Sequence, residues 1–283
     1  MEKTLNSSDK PHLIIRPSSG WAALNLGELF QFRDLLVTLA VRDIKLRYRQ
    51  TALGVLWVVL QPLISAGILS FVFGRVAKLA DPQDRTPYFL LVYAGQLGWT
   101  AFASTLSKTS TSLVGNAHLV TKVYFPRLVL PLSTVFSTLI DFSVGLGMLV
   151  VLLLVYRIPP GIGILLLPVW LVLLVLVALG VGLCAGALTV RYRDVQYILP
   201  VATQFLMYAS PVAYTVSKVP EALRSLYYLN PLAGLLEAFR WSLLGEGSVH
   251  WGYVGYATLF AIVVFLVGVY AFKRMERQFA DVI

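Results

Sequence analysis

Few side chains able to do chemistry stand in this chain of 283 residues, and they are scattered. No Gly-x-x-x-x-Gly-Lys-Ser/Thr phosphate loop occurs and no Gly-Lys pair exists anywhere, so the chain is not expected to hydrolyse nucleotides itself. His12, His118 and His250 lack ligand-like spacing, and Cys184 is the only cysteine. An intrachain disulfide and a cysteine metal site are therefore excluded. Cys184 lies in an apolar run, where a small core residue is expected. Asp141 is the one acidic residue deep in such a run. A carboxylate there is costly and is a functional candidate by default. With no second carboxylate between the ends of the runs, paired acid–base chemistry lacks its other member. Three roles stay open for Asp141: a hydrogen-bonded structural group, a gating or coupling group, and a proton relay. Glu237 and Arg240, three apart, have the spacing to pair on a helix.

The elements that hold these residues are membrane spans. Hydrophobic residues make up 58% of the chain and charged ones 13%, against about 25% charged in a soluble domain. Crossing roughly 30 Å of hydrocarbon takes about 20 apolar residues. Runs of that kind predict six spans, at about Ala52 to Phe73, Tyr88 to Leu106, Leu128 to Tyr156, Ile162 to Val190, Val195 to Val216 and Trp251 to Phe272. Sixteen of the 23 Lys and Arg then fall in the segments on one side, which places both termini in the cytoplasm. The net charge of +9 is accounted for by this orientation rather than by nucleic acid. No secretory signal peptide is visible, and the first span is expected to direct its own insertion.

The expected organisation is a cytoplasmic segment over 1–51, a transmembrane domain over 52–272 and a cytoplasmic tail over 273–283. Gly27 to Gln50 has helical periodicity. Leu29, Phe32, Leu36, Leu39, Ala40, Ile44 and Tyr48 share one face; Thr38, Arg42, Lys45 and Arg49 share the other. Such a helix suits the membrane interface and anionic lipid, or a docking surface. Gln61 beside Pro62 predicts a kink in the first span, with Trp57, Gln61, Ile64, Ile68 and Phe71 on one face. The fifth span carries Gln196, Thr203, Gln204 and Ser210, polar groups that fit a wet pathway or interhelical packing. Between the last two spans, Ser217 with Pro220 and Asn230 with Pro231 read as two helix starts and Gly245 as a stop. Short external helices are expected over about 217–245.

Several stretches resemble the ABC type-2 permeases that export polysaccharides such as O-antigen, capsule or teichoic acid. They are Arg42-Asp43 through Tyr48, Gly54, Trp57 and Pro62; Asn116 with Lys122, Phe125 and Pro126; Arg191 to Asp194; Ser210-Pro211 with Tyr214; and Asn230-Pro231 with Arg240. The resemblance covers almost the whole chain and implies an all-α integral membrane protein of the bacterial cytoplasmic membrane, with six spans per protomer. Two copies would form the channel over two copies of a separate ABC ATPase, which would use the ATP and magnesium; this chain would bind no cofactor. The coupling helix would be about 115–127, with Asn116, His118, Lys122, Tyr124, Phe125 and Arg127 meeting the ATPase. The cargo would be a polyprenyl-pyrophosphate-linked glycan, its pyrophosphate waiting near Lys45, Arg47 and Arg49. Aromatic rungs, from Trp57, Phe71, Tyr88, Tyr93, Phe205, Tyr208 and Tyr214, would stack on sugar C–H faces. Gln61, Asp141, Gln204, Glu237 and Arg240 are the buried polar or gating candidates. The same fold could export a drug, peptide or other lipid, and an intramembrane enzyme subunit is the reading from another class.

Overall fold

The computed structural model describes residues 26–49, 56–80, 86–245, 247, 249–276 and 279, and every regular element among them is helical. Two helices precede the first span, α1 (Leu26–Gln31) and α2 (Arg33–Arg49). The single helix expected over Gly27 to Gln50 is thus divided at Phe32. Its apolar face does not lie open to lipid. Leu39 is buried among Leu113, Val120, Phe125, Val129, Leu183 and Phe272, and Leu29, Phe32 and Leu36 pack beside it. The helix is docked on the end of the bundle that also carries the α4–α6 connection and the end of α11.

The bundle is built from α3 (Leu56–Leu69), extended by a π-helical stretch Ser70–Val76, then α4 (Tyr88–Gly115), α5 (Ala117–Lys122), α6 (Val129–Tyr156) and α7 (Leu167–Arg191). After these come α8 (Val195–Tyr208), α9 (Glu221–Tyr227), α10 (Pro231–Leu244) and α11 (Trp251–Glu276). Five of these elements are long and apolar enough to cross a membrane: α3 with its extension, α4, α6, α7 and α11.

The segment expected as a fifth span through Val216 is shorter. At 1.5 Å per residue, the 14 residues of α8 reach about 21 Å, less than the roughly 30 Å of hydrocarbon. The helix stops at Ala209 because Pro211 disfavours helical backbone at Ser210 and has no N–H to give. A tight turn follows, closed by Val212 N donating to Ser210 O at 2.8 Å.

Helix α4 is the hub. In its most apolar stretch 72% of residues are buried, against 11% for α3, although it is the least apolar of the five. The two facts share a cause: a helix surrounded by protein can carry Gln96, Thr105, Thr109, Ser110 and Ser112 where a lipid-facing one cannot. Many of these hydroxyls bond back to their own helix, as Thr105 does to Ala101 O at 2.8 Å, which satisfies them without a partner. Small residues set the closest helix contacts, foremost Gly180 of α7 against Gly268 of α11.

At the opposite end from α2, α10 is buried along most of its length and packs on α4, α7 and α11, so it is part of the bundle rather than a solvated loop. Asn230 caps it, its side-chain oxygen accepting from Leu232 N at 3.1 Å, with Pro231 in the first turn. Gly245 ends it at φ +68, where a side chain would be strained. Ser217, expected as the other cap, instead shares a 2.6 Å hydrogen bond with Thr215, and α9 starts at Glu221, directly after Pro220, with no side-chain cap. The Asn230 amide also donates to Ala209 O at 3.1 Å and Ser210 Oγ at 2.9 Å, tying the end of α8 to the start of α10. Asn230→Ala is expected to cost about 1 kcal/mol for the cap and more for the two donated bonds. Asn230→Asp should recover only the cap, as read by thermal melting in detergent.

Candidate functional site

At one end of the bundle, α2 and the segment after α4 form one unit. Arg42 donates to Asp43 Oδ1 at 2.8 Å and to Asn116 Oδ1 at 2.7 Å, while the Asn116 amide donates to Ser112 O at 2.9 Å. Arg42 is thus tied to the bundle through Asn116, with its side chain half-buried. Phe125 is buried. Arg127 turns to the end of α11: its backbone N–H donates to Glu276 Oε1 at 3.3 Å, its guanidinium donates to Glu276 O, and the ring of Phe279 lies 5.7 Å away. Lys273 pairs with the same Glu276 at 2.8 Å. The six residues expected to meet an ATPase thus divide. His118, Lys122 and Tyr124 are exposed, whereas Asn116, Phe125 and Arg127 are engaged within the chain and hold the loop in place. Lys45 is exposed on α2; the side chains of Arg47 and Arg49 lie outside the described residues.

At membrane depth α3 and α8 leave large side chains exposed, as α6 and α11 also do. On α3, Trp57, Gln61, Ile64, Ile68 and Phe71 are all exposed, and α8 has no fully buried residue. Tyr197, Val201, Phe205 and Tyr208 project from α8, and Gln204 donates to Tyr208 Oη at 3.2 Å. Of the seven aromatics expected in a channel, Trp57, Phe71, Phe205 and Tyr208 are exposed. Tyr93 is not: it is fully buried and its hydroxyl donates to Gly145 O at 3.1 Å, because α4 is the hub and not a wall. Tyr88 is partly buried and donates to Ala213 O at 2.5 Å. Tyr214 is also partly buried, donating to Tyr208 O at 2.8 Å and receiving the Tyr227 hydroxyl at 3.0 Å.

Asp141 has a partner that the hydropathy reading passed over. Lys108 reaches it from α4, with Nζ 3.1 Å from Asp141 Oδ2 and 2.9 Å from Ser137 Oγ. The expected end of the second span at Leu106 put Lys108 in the following loop, whereas α4 continues to Gly115. A charge pair 33 residues apart has no local spacing to reveal it.

On α10, Glu237 and Arg240 do not pair with each other as expected. Glu237 Oε1 accepts from Val216 N at 2.9 Å and Oε2 from the Tyr228 hydroxyl at 2.5 Å. Arg240, only 4% exposed, donates through Nη1 to Tyr214 O at 3.1 Å. Burial and then the bond to Glu237 push the Tyr228 phenol well above its usual range, so it stays a neutral donor. Burial lowers the Arg240 guanidinium, with Glu237 acting against that shift. Tyr227 and Tyr228 thus belong to this network; their signal in the sequence is only their place before Asn230-Pro231. Among the described residues no group of three His, Cys, Asp or Glu is placed to hold a metal.

A helical bundle with five helices long and apolar enough to cross a membrane, a helix docked on one end and short helices capping the other, is that of a multi-pass membrane protein. The match of the ABC-2 type transporter family to residues 34–244, from α2 through α10, shows that the chain belongs to that family. It is 30% identical over 264 residues to the O-antigen export system permease protein RfbA of Klebsiella pneumoniae, covering 92% of this chain and 97% of the relative. To the protein of the same name from Myxococcus xanthus it is 32% identical over 215 residues, 75% of this chain and 81% of the relative. The polysialic acid transport protein KpsM of Escherichia coli is 24% identical over 248 residues, 84% of this chain and 92% of that protein.

Proposed function

We propose that this chain is the membrane-spanning subunit of an ATP-driven exporter that carries a lipid-linked polysaccharide across the bacterial cytoplasmic membrane. The observation that carries the reading is the set of large side chains that α3 and α8 leave exposed. Helix α8 has no fully buried residue: Leu199, Leu206 and Met207 pack on the bundle, while Tyr197, Phe205 and Tyr208 on the same helix stay exposed. A second copy facing it would enclose a path lined by aromatic rings that stack on sugars while tolerating chain movement. The names of the relatives, export of O-antigen and transport of polysialic acid, support a polysaccharide as cargo. In this reading α8 and the turn after it together make a sixth crossing, and both termini are cytoplasmic. His118, Lys122 and Tyr124 meet two copies of a separate ATPase, which binds the ATP and magnesium. Lys45, Arg47 and Arg49 receive the carrier pyrophosphate through charge-assisted hydrogen bonds.

The test is purification from native membranes in mild detergent, with mass spectrometry of what accompanies the chain. A nucleotide-binding subunit and a polyprenyl glycolipid are the expected companions; absence of any nucleotide-binding partner overturns the reading. Replacing Lys45, Arg47 and Arg49 together by Gln is expected to stop export while cysteine labelling shows unchanged topology. Export that persists removes the pyrophosphate role.

A further inference from the structure

Where α9 meets the start of α11, a groove of about 650 Å³ opens, walled by Tyr228, Leu229, Trp251, Tyr253 and Tyr256 together with Ser225 and His250. Its size is that of a small-molecule site, about 300–1,000 Å³. Tyr228 and Tyr253 are stacked at 4.0 Å and 7°, and His250 stands edge-on to both, at 5.8 and 6.2 Å. Two of the tyrosine hydroxyls are already used: Tyr228 donates to Glu237, and Tyr256 donates to Leu229 O at 3.2 Å. No Lys, Arg, Asp or Glu is among the lining residues.

The occupant follows from what surrounds the groove. It sits at the first turns of α11, a helix long and apolar enough to cross a membrane, and so near the depth where hydrocarbon meets water. Tyr256 heads a stripe of exposed side chains along α11, namely Leu259, Val263, Leu266 and Tyr270, at steps of three and four residues. On the other side, Leu223 and Leu226 of α9 and Leu229 after it are each more than half exposed, as is Trp251. Leucines so open are costly in water, and with a Trp beside them they suit a membrane interface. The groove is therefore continuous with a surface that hydrocarbon covers. A sugar would find few converging polar groups there. The second copy of the export reading is matched to α3 and α8, which contribute no residue to this groove.

We propose that the groove seats one acyl chain of a bilayer phospholipid. The ester end lies by Ser225 and His250, both exposed polar side chains, and the chain runs over Trp251 toward Tyr256, about 8 Å further along α11 at 1.5 Å per residue. A chain already in hydrocarbon gains nothing from leaving water; what it gains is dispersion contact with rings that are held in place. With no charged side chain in the lining, the seat recognises the chain and not a particular headgroup. It needs only a membrane-spanning α11 and is independent of the cargo.

The test uses the full-length protein in detergent, stripped of native lipid by prolonged washing and then given phosphatidylethanolamine carrying a diazirine in its acyl chain. After irradiation, labelled peptides are mapped by mass spectrometry. Saturable labelling within 225–229 and 249–256 is expected, at least about threefold above that of the exposed α6 residues Val150, Val151 and Leu154, which report ordinary lipid contact. Excess unlabelled phosphatidylethanolamine should remove the groove signal, and maltose should not. Gly252→Trp, whose side chain would fill the groove, is expected to lower groove labelling by about threefold or more. Gly255→Trp, outside the lining, should leave it unchanged; a Cβ at either glycine meets nothing within 4 Å. Groove labelling no higher than that of α6, or equal in Gly252→Trp and the wild type, overturns the proposal. Protection by maltose overturns it in favour of a glycan site, and labelling of a separated monomer but not of a dimer overturns it in favour of an interface between copies. Competition by unlabelled lipid needs no variant, so a groove signal that survives it overturns the proposal even if Gly252→Trp does not fold.

Discussion

Gly268→Val is expected to prevent α7 and α11 from packing and to remove most folded protein from the membrane. A Cβ on Gly268 would stand 2.2 Å from Gly180 O and 2.7 Å from Gly180 Cα, and one on Gly180 would stand 2.6 Å from the carbonyl carbon of Val264. These obstacles are backbone atoms, which cannot rotate aside as a side-chain tip does, so the helix axes must separate. Overpacking a core costs about 1–3 kcal/mol where neighbours can shift; here about 3 kcal/mol or more is expected. Helix association within a bilayer rests on close van der Waals contact rather than on exclusion of water, and a separated pair has no second source of attraction. Gly255→Val on the same helix is the matched control, since a Cβ there meets nothing within 4 Å. The measurement is the melting temperature and the monodisperse yield in detergent. A Gly268→Val protein that melts with the Gly255→Val control would show that the two helices do not cross this closely.

The second large effect is expected at the ion pair inside the bundle. Asp141→Leu removes the carboxylate 3.1 Å from Lys108 Nζ, at a site where the two side chains are 14% and 27% exposed. Taking away one partner of a buried pair costs about 3–5 kcal/mol, because the remaining charge loses its compensation, whereas replacing both by apolar groups of similar volume is often neutral. The partial exposure of Lys108 argues for the lower end of that range. Lys108→Met together with Asp141→Leu should therefore melt close to the wild type, well above either single variant. That cycle also decides what the pair is for. If the double variant folds and still exports, the pair is structural; if it folds but does not export, α4 and α6 use the pair in gating. Export by the double variant under a collapsed proton gradient leaves no proton relay through Asp141.

Much of the architecture was legible because the solvent imposes it. A run of some 20 apolar residues has few stable fates outside a bilayer, and the starts of α6, α7 and α11 fall within a few residues of those expected. Local chemistry was legible where one short-range bond decides it, as with the Asn230 cap and the Gly245 stop. The end of α4 was misjudged because Lys108, Thr109, Ser110, Thr111 and Ser112 lower its hydropathy. Of these, Thr109, Ser110 and Ser112 are acceptable because they are buried against protein. Hydropathy measures the cost of facing lipid and is silent on which helices never do.

Sequence by itself determined that this is a helical, multi-pass membrane protein without a phosphate loop, and its motifs were enough to place it beside polysaccharide exporters. Both follow from composition and short spacings, properties that survive without knowing any contact. Only the tertiary structure decided which candidates touch what: that Tyr93 is core, that Arg127 braces α11, that Asp141 has Lys108, and that Arg240 bonds Tyr214 O rather than Glu237. Each of these joins residues from different helices, tens of positions apart. Such pairings are set by how the helices pack, which no local pattern in the chain encodes.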